Sequence, residues 1–421
     1  MRVAATILLV VAVSATRVGA QGLPVARPED VGLSSEALEQ IPRALQQYID
    51  SNKLAGAVVA VARHGKLAYL SAIGKLEIDS ARPMRTDAIF RIASMTKPIV
   101  SVAAMKLVER GQLSLDDPVA KYIPAFASTV AYAGGPASSP TFKKPTTAMT
   151  VRDLLRHTSG ITYGFFSETT ADSIIRRGSP LPATVTLEQG IDSVARMPLA
   201  FSPGEQWSYG YSVDVLGRIV EIVSHKTLDR FLDDEILRPL KMSETSYHAR
   251  DGWDTRIPWV YAVTPTGLRK PATFLGAQYL PTGKLYGGGG GLMSTANDYV
   301  RFAQMLLNGG ELDGARILKR ETIAAMTRNQ LPASIPLIQN ALLLTSPGYG
   351  FGLGFAVLVD SAKSGLPGNV GMYRWWGINN TFFWIDPKAD LIAMVLTQAS
   401  PGRPIPLEQD FQKLVYAAVR P

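Results

Sequence analysis

Apolar segments that favour β-strands lie near both ends of the chain. Residues 54–62 and 67–71 are two such segments, and the polar turn 63–66 between them predicts a hairpin. A second strand-rich region begins at Tyr349, with predicted strands at 350–359, 381–385 and 391–397 and a turn at 386–390. We therefore expect the two ends of the chain to share one antiparallel sheet.

Helical periodicity appears between and after these strands. The apolar run 99–108 predicts a helix that stops at Gly111. A second helix is predicted at 150–157, where Thr150 and Asp153 form a capping-box pattern. Further helices are predicted at 212–223 and 407–419. The fold class expected is α/β (α+β), with a sheet-containing part at about 21–110 and 285–421 and a mainly helical insertion at about 111–284. A cleft is expected where the two parts meet.

The first twenty residues have the pattern of a secretory signal. Arg2 precedes an apolar run at 3–13, and Val18-Gly19-Ala20 supplies the small residues of a cleavage site. The apolar run is too short for a stable membrane span. We expect residues 1–20 to be removed and the product to be secreted or periplasmic; a retained N-terminal anchor is the alternative.

Composition excludes several classes of function. The 421 residues are 46% hydrophobic and contain no cysteine, which excludes disulfides, thiolate chemistry and cysteine-bound metals. The net charge of +8 comes from scattered basic residues and not from a basic tract, so no nucleic-acid partner is expected. The four histidines, His64, His157, His225 and His248, lack the spacing of a metal pair, so we predict neither a metal nor another cofactor.

The strongest chemical signal is the segment 90–97, Phe-Arg-Ile-Ala-Ser-Met-Thr-Lys. Ser94 and Lys97 are three residues apart, so on a helix they share one face. An amine in that position can accept the hydroxyl proton of a serine nucleophile. The alternative for these residues is a serine helix cap followed by a solvated lysine.

This segment resembles the first motif of the serine β-lactamase/penicillin-binding-protein superfamily, most closely the class C β-lactamase-like branch that includes the family VIII carboxylesterases. Four further stretches resemble that branch in the same order along the chain: 151–160, 203–209, 287–295 and 381–387. The resemblance implies a β-lactamase/transpeptidase-like fold, a central antiparallel sheet flanked by helices, and covers most of the chain after residue 20. No Gly-x-Ser-x-Gly elbow is present, which disfavours an α/β-hydrolase.

The resemblance also implies roles for individual residues. Tyr209 matches the tyrosine of the second motif, so Ser94 could lose its proton to Lys97, to Tyr209 or to the two as a unit. A packed tyrosine without a catalytic role is the alternative for Tyr209. The oxyanion is expected to bind the backbone N–H groups of Ser94 and Ile378.

Two motifs depart from the β-lactamase pattern. Tyr211 stands where class C enzymes carry asparagine, and no Lys-Thr-Gly occurs in the chain. The aligned stretch contains Trp375, Trp376 and Gly377, which resembles the Trp-Gly-Gly of family VIII esterases. Tryptophan offers apolar area and no charge for a carboxylate, so Tyr211, Trp375 and Gly377 are predicted to contact a neutral substrate. Core packing is the alternative for the tryptophans, and Arg374 is a candidate cation near them.

The glycine run 287–291 lacks the context of a phosphate loop and is interpreted as structural, allowing close packing beside the cleft. Together these features predict a secreted serine hydrolase that cleaves a small-molecule carboxylic ester through a Ser94 acyl-enzyme. β-Lactamase or D-amino peptidase activity, on an amide, is the alternative. A second alternative is a non-catalytic penicillin- or peptidoglycan-binding homologue. No stable membrane insertion is expected, and the sequence does not define the oligomeric state.

Overall fold

The computed structural model describes residues 22–164, 170–175, 181–271, 279–335, 347–401 and 405–420. The predicted signal peptide, 1–20, lies outside the described residues. The strands are β1 (Gly56–Arg63), β2 (Lys66–Gly74), β3 (Phe90–Arg91), β4 (Ala131–Gly134), β5 (Thr141–Lys143), β6 (Tyr261–Thr264), β7 (Gly267–Arg269), β8 (Met293–Ser294), β9 (Glu311–Leu312), β10 (Ala315–Arg316), β11 (Tyr349–Phe351), β12 (Ala356–Leu358), β13 (Tyr373–Gly377), β14 (Thr381–Asp386), β15 (Leu391–Thr397) and β16 (Ala399–Ser400). The helices are α1 (Ser35–Leu38), α2 (Gln40–Asp50), α3 (Thr96–Glu109), α4 (Val151–Leu155), α5 (Thr170–Ile175), α6 (Leu187–Ala195), α7 (Ser212–Ser224), α8 (Leu228–Leu232), α9 (Ala296–Leu307), α10 (Arg320–Met326), α11 (Ser361–Ser364) and α12 (Leu407–Ala418).

A seven-stranded antiparallel sheet forms the centre of the structure, in the order β11-β12-β13-β14-β15-β1-β2. The pairing of β1 with β15, from Ala57↔Thr397 to Arg63↔Leu391, joins the two ends of the chain. The predicted shared sheet is therefore confirmed. His64 and Gly65 close the β1–β2 hairpin with φ of 53° and 72°, the two left-handed residues of a type I′ turn.

One predicted strand is wrong. The segment predicted as a single strand at 350–359 folds into β11 and β12, which pair with each other through a tight turn. Gly352 donates a backbone hydrogen bond of 2.8 Å to Phe355 across this turn. Gly354 has a φ of 100°, a conformation that favours glycine, and this bends the chain inside an apolar segment.

Helices cover both faces of the sheet. Adjacent residues of β14 point to opposite faces, because side chains alternate along a strand. The ring of Phe383 packs against Tyr299 of α9, with centroids 5.0 Å apart, while Trp384 packs against Phe411 of α12 at 5.4 Å. The amphipathic helix predicted at 407–419 is thus α12, and its apolar face lies on the sheet.

The helices near the cleft agree with the sequence patterns. The helix predicted at 99–108 is α3, which is buried on nearly all sides and packs against α7. Helix α4 begins at the predicted capping box: Thr150 Oγ1 accepts from the N–H of Asp153, and the Asp153 carboxylate accepts from the N–H of Thr150. The boundaries of the helical insertion stay a prediction, and β6, within 111–284, pairs with β16 from the C-terminal part.

Candidate active site

Ser94 lies in a short 3₁₀ turn, Ala93–Met95, that connects β3 to α3. Ala93 has a φ of 46°, a left-handed conformation that costs a non-glycine residue roughly 1–2 kcal/mol. On the other side of Ser94, the carbonyl of Met95 accepts a 2.9 Å hydrogen bond from the hydroxyl of Tyr299. A strained turn that is held in place by its surroundings is characteristic of functional sites.

Lys97, in the first turn of α3, is 1% exposed and has three hydrogen-bond acceptors around its amine. Its Nζ lies 3.2 Å from Ser94 Oγ, 2.9 Å from the hydroxyl of Tyr163 and 2.5 Å from the carbonyl oxygen of Gly289. An ammonium has three protons, so each proton has an acceptor. A neutral amine would keep two of these bonds and turn its lone pair to the Ser94 hydroxyl. The geometry therefore accommodates both protonation states of Lys97.

The environment of Lys97 favours the neutral amine more than water does. Burial lowers the pKa of Lys97 to about 7, and the negative charge of Asp214 opposes this decrease. A general base works best when its pKa is close to the working pH, because it must both accept and return a proton. Lys97 satisfies this condition at neutral pH.

Two tyrosines contact the Lys97 amine in different ways. Tyr163 contacts it through its hydroxyl, and burial raises the pKa of Tyr163 well above its ordinary value, which keeps the phenol protonated. Tyr209 presents its ring face, whose centroid lies 4.7 Å from Lys97 Nζ, a cation–π distance. The structure thus brings Ser94, Lys97 and Tyr209 together, but it also adds Tyr163, which the sequence analysis missed.

Asp214 and the glycine run line the same cleft as Ser94. Asp214 Oδ1 accepts a 2.8 Å hydrogen bond from the N–H of Gly289. A side chain at Gly289 would overlap Asp214 Oδ2 and the Tyr163 hydroxyl, so close packing requires glycine here. Asp214 was also missed, although a single carboxylate between Val213 and Val215 in an apolar helix was a signal that it is buried for a reason.

These residues border a cleft of about 330 Å³. Its lining consists of small, aliphatic and aromatic side chains, one carboxylate and the Ser94 hydroxyl: Ala93, Ser94, Tyr163, Leu181, Ala183, Tyr211, Asp214, Tyr279, Leu285, Gly287, Gly289, Gly290 and Gly291. Of the residues predicted to bind substrate, Ser94 and Tyr211 lie in this lining. None of the described lining residues is a lysine or an arginine.

Trp375 and Trp376 are buried in the core, 1% and 6% exposed, and neither is among the residues that line the cleft. Trp375 packs against Tyr209, with ring centroids 5.3 Å apart, and against Phe351 at 5.3 Å. The ring of His157 packs against Tyr209 at 4.9 Å, and burial lowers the pKa of His157 well below its ordinary value. These aromatic contacts hold the Tyr209 ring beside Lys97.

The end of β13 lies against the backbone that precedes Ser94. Gly377 packs so closely against Ile92 and Ala93 that a side chain would overlap the Ile92 carbonyl. The hydroxyl of Thr381 also donates to Ile92 O, at 3.3 Å. Ile378, which follows β13, is 38% exposed. The Ile378 N–H, predicted to bind the oxyanion, therefore belongs to a segment that is held next to the turn that carries Ser94.

Arg374 does not supply the cation that the sequence suggested near the site. It is 1% exposed, its Nη1 donates a 2.9 Å hydrogen bond to Glu408 of α12, and its guanidinium lies 4.1 Å from the Tyr349 ring centroid. The positive charge of Arg374 is therefore paired within the core, with the Glu408 carboxylate and the Tyr349 ring. Arg374 is also absent from the cleft lining.

In the described part of the chain, no group of three or more His, Asp or Glu side chains is placed to hold a metal ion. Among the helices of the described ranges, none is both long and apolar enough to cross a bilayer.

Comparison with known proteins identifies relatives along nearly the whole chain. The model of the Beta-lactamase family matches residues 41–417. Protein Rv1367c of Mycobacterium tuberculosis is 34% identical over 366 residues, which cover 85% of this chain and 89% of that protein. Esterase EstB of Burkholderia gladioli is 30% identical over 399 residues, covering 90% of this chain and 95% of EstB. The solved structure of EstCE1, described as a hydrolase with promiscuous acyltransferase activity, has a TM-score of 0.75 and 27% identity over 90% of this chain and 99% of EstCE1.

These matches confirm three predictions made from the motifs: the superfamily, the β-lactamase/transpeptidase-like fold, and the assignment to a superfamily of enzymes. The chain belongs to the Beta-lactamase family.

Proposed function

We propose that this protein is a secreted serine carboxylesterase in which Ser94 is the nucleophile and Lys97 the general base. The observation that carries this proposal is the 3.2 Å contact between Ser94 Oγ and the buried Lys97 amine at the cleft. The names of EstB and EstCE1, an esterase and a hydrolase, support the same chemistry. Secretion rests on the signal-like pattern at 1–20.

In the proposed reaction, neutral Lys97 accepts the hydroxyl proton of Ser94 as Oγ attacks the ester carbonyl. The oxyanion that forms binds the N–H groups of Ser94 and Ile378. When the C–O bond to the alcohol breaks, the Lys97 ammonium gives its proton to the leaving oxygen. Water then attacks the acyl-enzyme with Lys97 again as base, and the proton returns to Ser94 as the carboxylic acid leaves.

The cleft favours neutral esters over β-lactams. A β-lactam carries a carboxylate, which β-lactamases bind with charged donors. Here the described lining contains Asp214 and no cationic side chain, and Arg374 is paired with Glu408 in the core. We expect kcat/KM for p-nitrophenyl butyrate to exceed that for nitrocefin by about 100-fold or more, since charge-assisted bonds are worth about 1.5–3 kcal/mol each.

A fluorophosphonate probe tests the proposal directly on the mature protein. Peptide mapping should place the phosphonyl group on Ser94. The fraction of ester hydrolysis that is lost should equal the fraction of the protein that is labelled. Wild-type protein that neither reacts with the probe nor hydrolyses a panel of short esters would favour the non-catalytic binding alternative. Faster turnover of nitrocefin than of every ester would favour a β-lactamase instead.

Phenylalanine variants distinguish the two tyrosines. Tyr163→Phe removes a hydrogen bond to Lys97, and we expect kcat/KM to fall about 10-fold. Tyr209→Phe keeps the ring face against the amine, so we expect kcat/KM to fall by less than about 10-fold. A loss of about 100-fold or more in Tyr209→Phe would show instead that its hydroxyl takes part in proton transfer. Steady-state kinetics on p-nitrophenyl butyrate give both values.

Transfer of the acyl group to an alcohol is a second candidate activity. The observation that favours it is the promiscuous acyltransferase activity ascribed to EstCE1, a relative of the same fold. The same acyl-enzyme would react with an alcohol in place of water, with Lys97 taking the alcohol proton. Product analysis in the presence of a primary alcohol separates ester exchange from hydrolysis.

A further inference from the structure

Asp214 is a buried carboxylate that the proposed reaction does not use directly. It lies in the first turn of α7, is 4% exposed and has the fully buried Val213 and Val215 on either side. A charged group in such surroundings is destabilising unless specific partners compensate for its lost hydration. The contacts of Asp214 show what those partners are.

A chain of hydrogen bonds connects Asp214 to the nucleophile through one residue, Gly289. Asp214 Oδ1 accepts from the Gly289 N–H at 2.8 Å, and the Gly289 carbonyl accepts from Lys97 Nζ at 2.5 Å. Lys97 Nζ in turn lies 3.2 Å from Ser94 Oγ. Asp214 therefore fixes the backbone that orients the amine, and it also places a negative charge near that amine.

We propose that Asp214 is a positioning residue that orients Lys97 through Gly289 and stabilises the ammonium formed when Lys97 takes the proton of Ser94. The inference rests on the proposed function and adds a second part to its proton-transfer machinery. Without the carboxylate charge, Lys97 would be a weaker base and its ammonium a stronger acid. Proton removal from Ser94 would then be slower.

Electrostatics agree with this arrangement. Burial raises the pKa of Asp214 and lowers that of Lys97, and in each case the charge of the partner opposes the effect of burial. The two groups therefore stabilise one another's charged forms.

The other titratable groups around this pair come from several elements: His157, Tyr163, Tyr209, Tyr211 and Tyr247. Burial lowers the pKa of His157 and raises those of Tyr163, Tyr211 and Tyr247, so these groups are neutral at neutral pH. Among the described residues, Asp214 is the carboxylate whose charge raises the pKa of Lys97.

The test is the pH dependence of kcat/KM in Asp214→Asn. Asparagine keeps an oxygen for the Gly289 N–H and removes the charge. Activity requires neutral Lys97 and rises with pH through the pKa of Lys97. Removal of a nearby anion lowers that pKa. The acid limb of the pH profile, where kcat/KM rises with pH, should therefore move to lower pH by about one unit, and the plateau value of kcat/KM should fall about 3- to 10-fold. The same shift should appear in the rate of fluorophosphonate labelling, which reports acylation alone.

Asp298→Asn is the matched control. Asp298 is fully buried in the first turn of α9, and burial raises its pKa to about 7, so it titrates in the same range as Lys97. We expect this variant to keep the wild-type acid limb. A shift in Asp298→Asn with none in Asp214→Asn would overturn the proposal, because the limb would then report Asp298.

Two further outcomes separate this inference from the proposed function. An active wild type whose acid limb is unchanged in Asp214→Asn would refute the role of Asp214 and leave the esterase proposal intact. A wild type without ester hydrolysis or probe labelling would refute the esterase proposal itself. If Asp214→Asn does not fold, as judged by its melting temperature, Asp214→Ser removes the same charge with a smaller side chain and gives the same test.

Discussion

Replacement of Lys97 by methionine is expected to lower kcat/KM for p-nitrophenyl butyrate by about 10³- to 10⁴-fold. Methionine approaches lysine in length and suits a site that is 1% exposed, but it cannot accept the Ser94 proton. Ser94 would then have to lose its proton to water or to a phenol whose pKa is raised by burial. Steady-state kinetics at about pH 6–9, a range that includes the Lys97 pKa, measure the loss of kcat/KM.

Comparison with Ser94→Ala establishes whether Lys97 acts through the nucleophile. The two residues should behave as one unit, so the double variant Ser94→Ala/Lys97→Met should be no less active than Ser94→Ala alone. Melting temperatures and near-ultraviolet circular dichroism verify that each variant is folded. Retention of more than about a tenth of wild-type activity in folded Lys97→Met would exclude lysine as the base.

The fold could be predicted well wherever hydrophobic patterns reflect local rules. The β1–β2 hairpin, the last two strands of the sheet and α12 each follow from period or turn chemistry over a few neighbouring residues. The division of 350–359 into β11 and β12 could not be predicted from hydrophobicity, because the residues of this turn are buried like the strands that flank it. The bend comes from Gly354, which packs against the side chain of Ser101 on α3, a contact between distant parts of the chain.

The candidate site also combines residues that the local sequence predicted with residues that it did not. Ser94 and Lys97 are three residues apart, so their spacing predicted that they share one face of a turn, and the structure places Lys97 Nζ 3.2 Å from Ser94 Oγ. Tyr163 and Gly289 contact Lys97, and Asp214 contacts Gly289, from three separate segments of the chain. Nothing in the local pattern of each segment specifies this convergence. Tyr209 lies in a recognisable sequence motif, whereas Tyr163 and Asp214 are distinguished only by their burial.

The glycine run shows how one residue can have both a structural and a chemical part. The sequence predicted that glycines at 287–291 allow close packing, and the backbone of Gly289 does pass against Asp214 and Tyr163. Its carbonyl also accepts a hydrogen bond from Lys97, and its N–H donates one to Asp214. Close packing at Gly289 and the orientation of the Lys97 amine are therefore expected to be lost together when Gly289 is substituted.

We expect Gly289→Ala to lower kcat/KM about 100-fold and to destabilise the fold by about 1–3 kcal/mol, because overpacking must displace neighbours and a misplacement of about 1 Å has such an effect on rate. The new methyl group would overlap Asp214 Oδ2 and lie 2.9 Å from the Tyr163 hydroxyl. Asp214 is 4% exposed and cannot turn out to solvent, so the Gly289 peptide must move and take the Lys97 acceptor with it. Kinetics and chemical denaturation measure the two effects.

Gly290→Ala provides the matched control one residue further along. A methyl group there would meet its nearest neighbours, atoms of Ala93, at 3.7 Å or more, which is ordinary contact. Neither glycine has φ in the left-handed region, so backbone strain does not distinguish the two substitutions. Gly290→Ala should therefore retain wild-type stability and most of the activity. Equal losses in the two variants would mean that the cleft tolerates no added methyl group anywhere along this glycine run, and the specific link from Gly289 to Lys97 would be refuted. A large loss of kcat/KM in Gly289→Ala alone, together with a shift of the acid limb of its pH profile, would show that the Gly289 backbone orients Lys97.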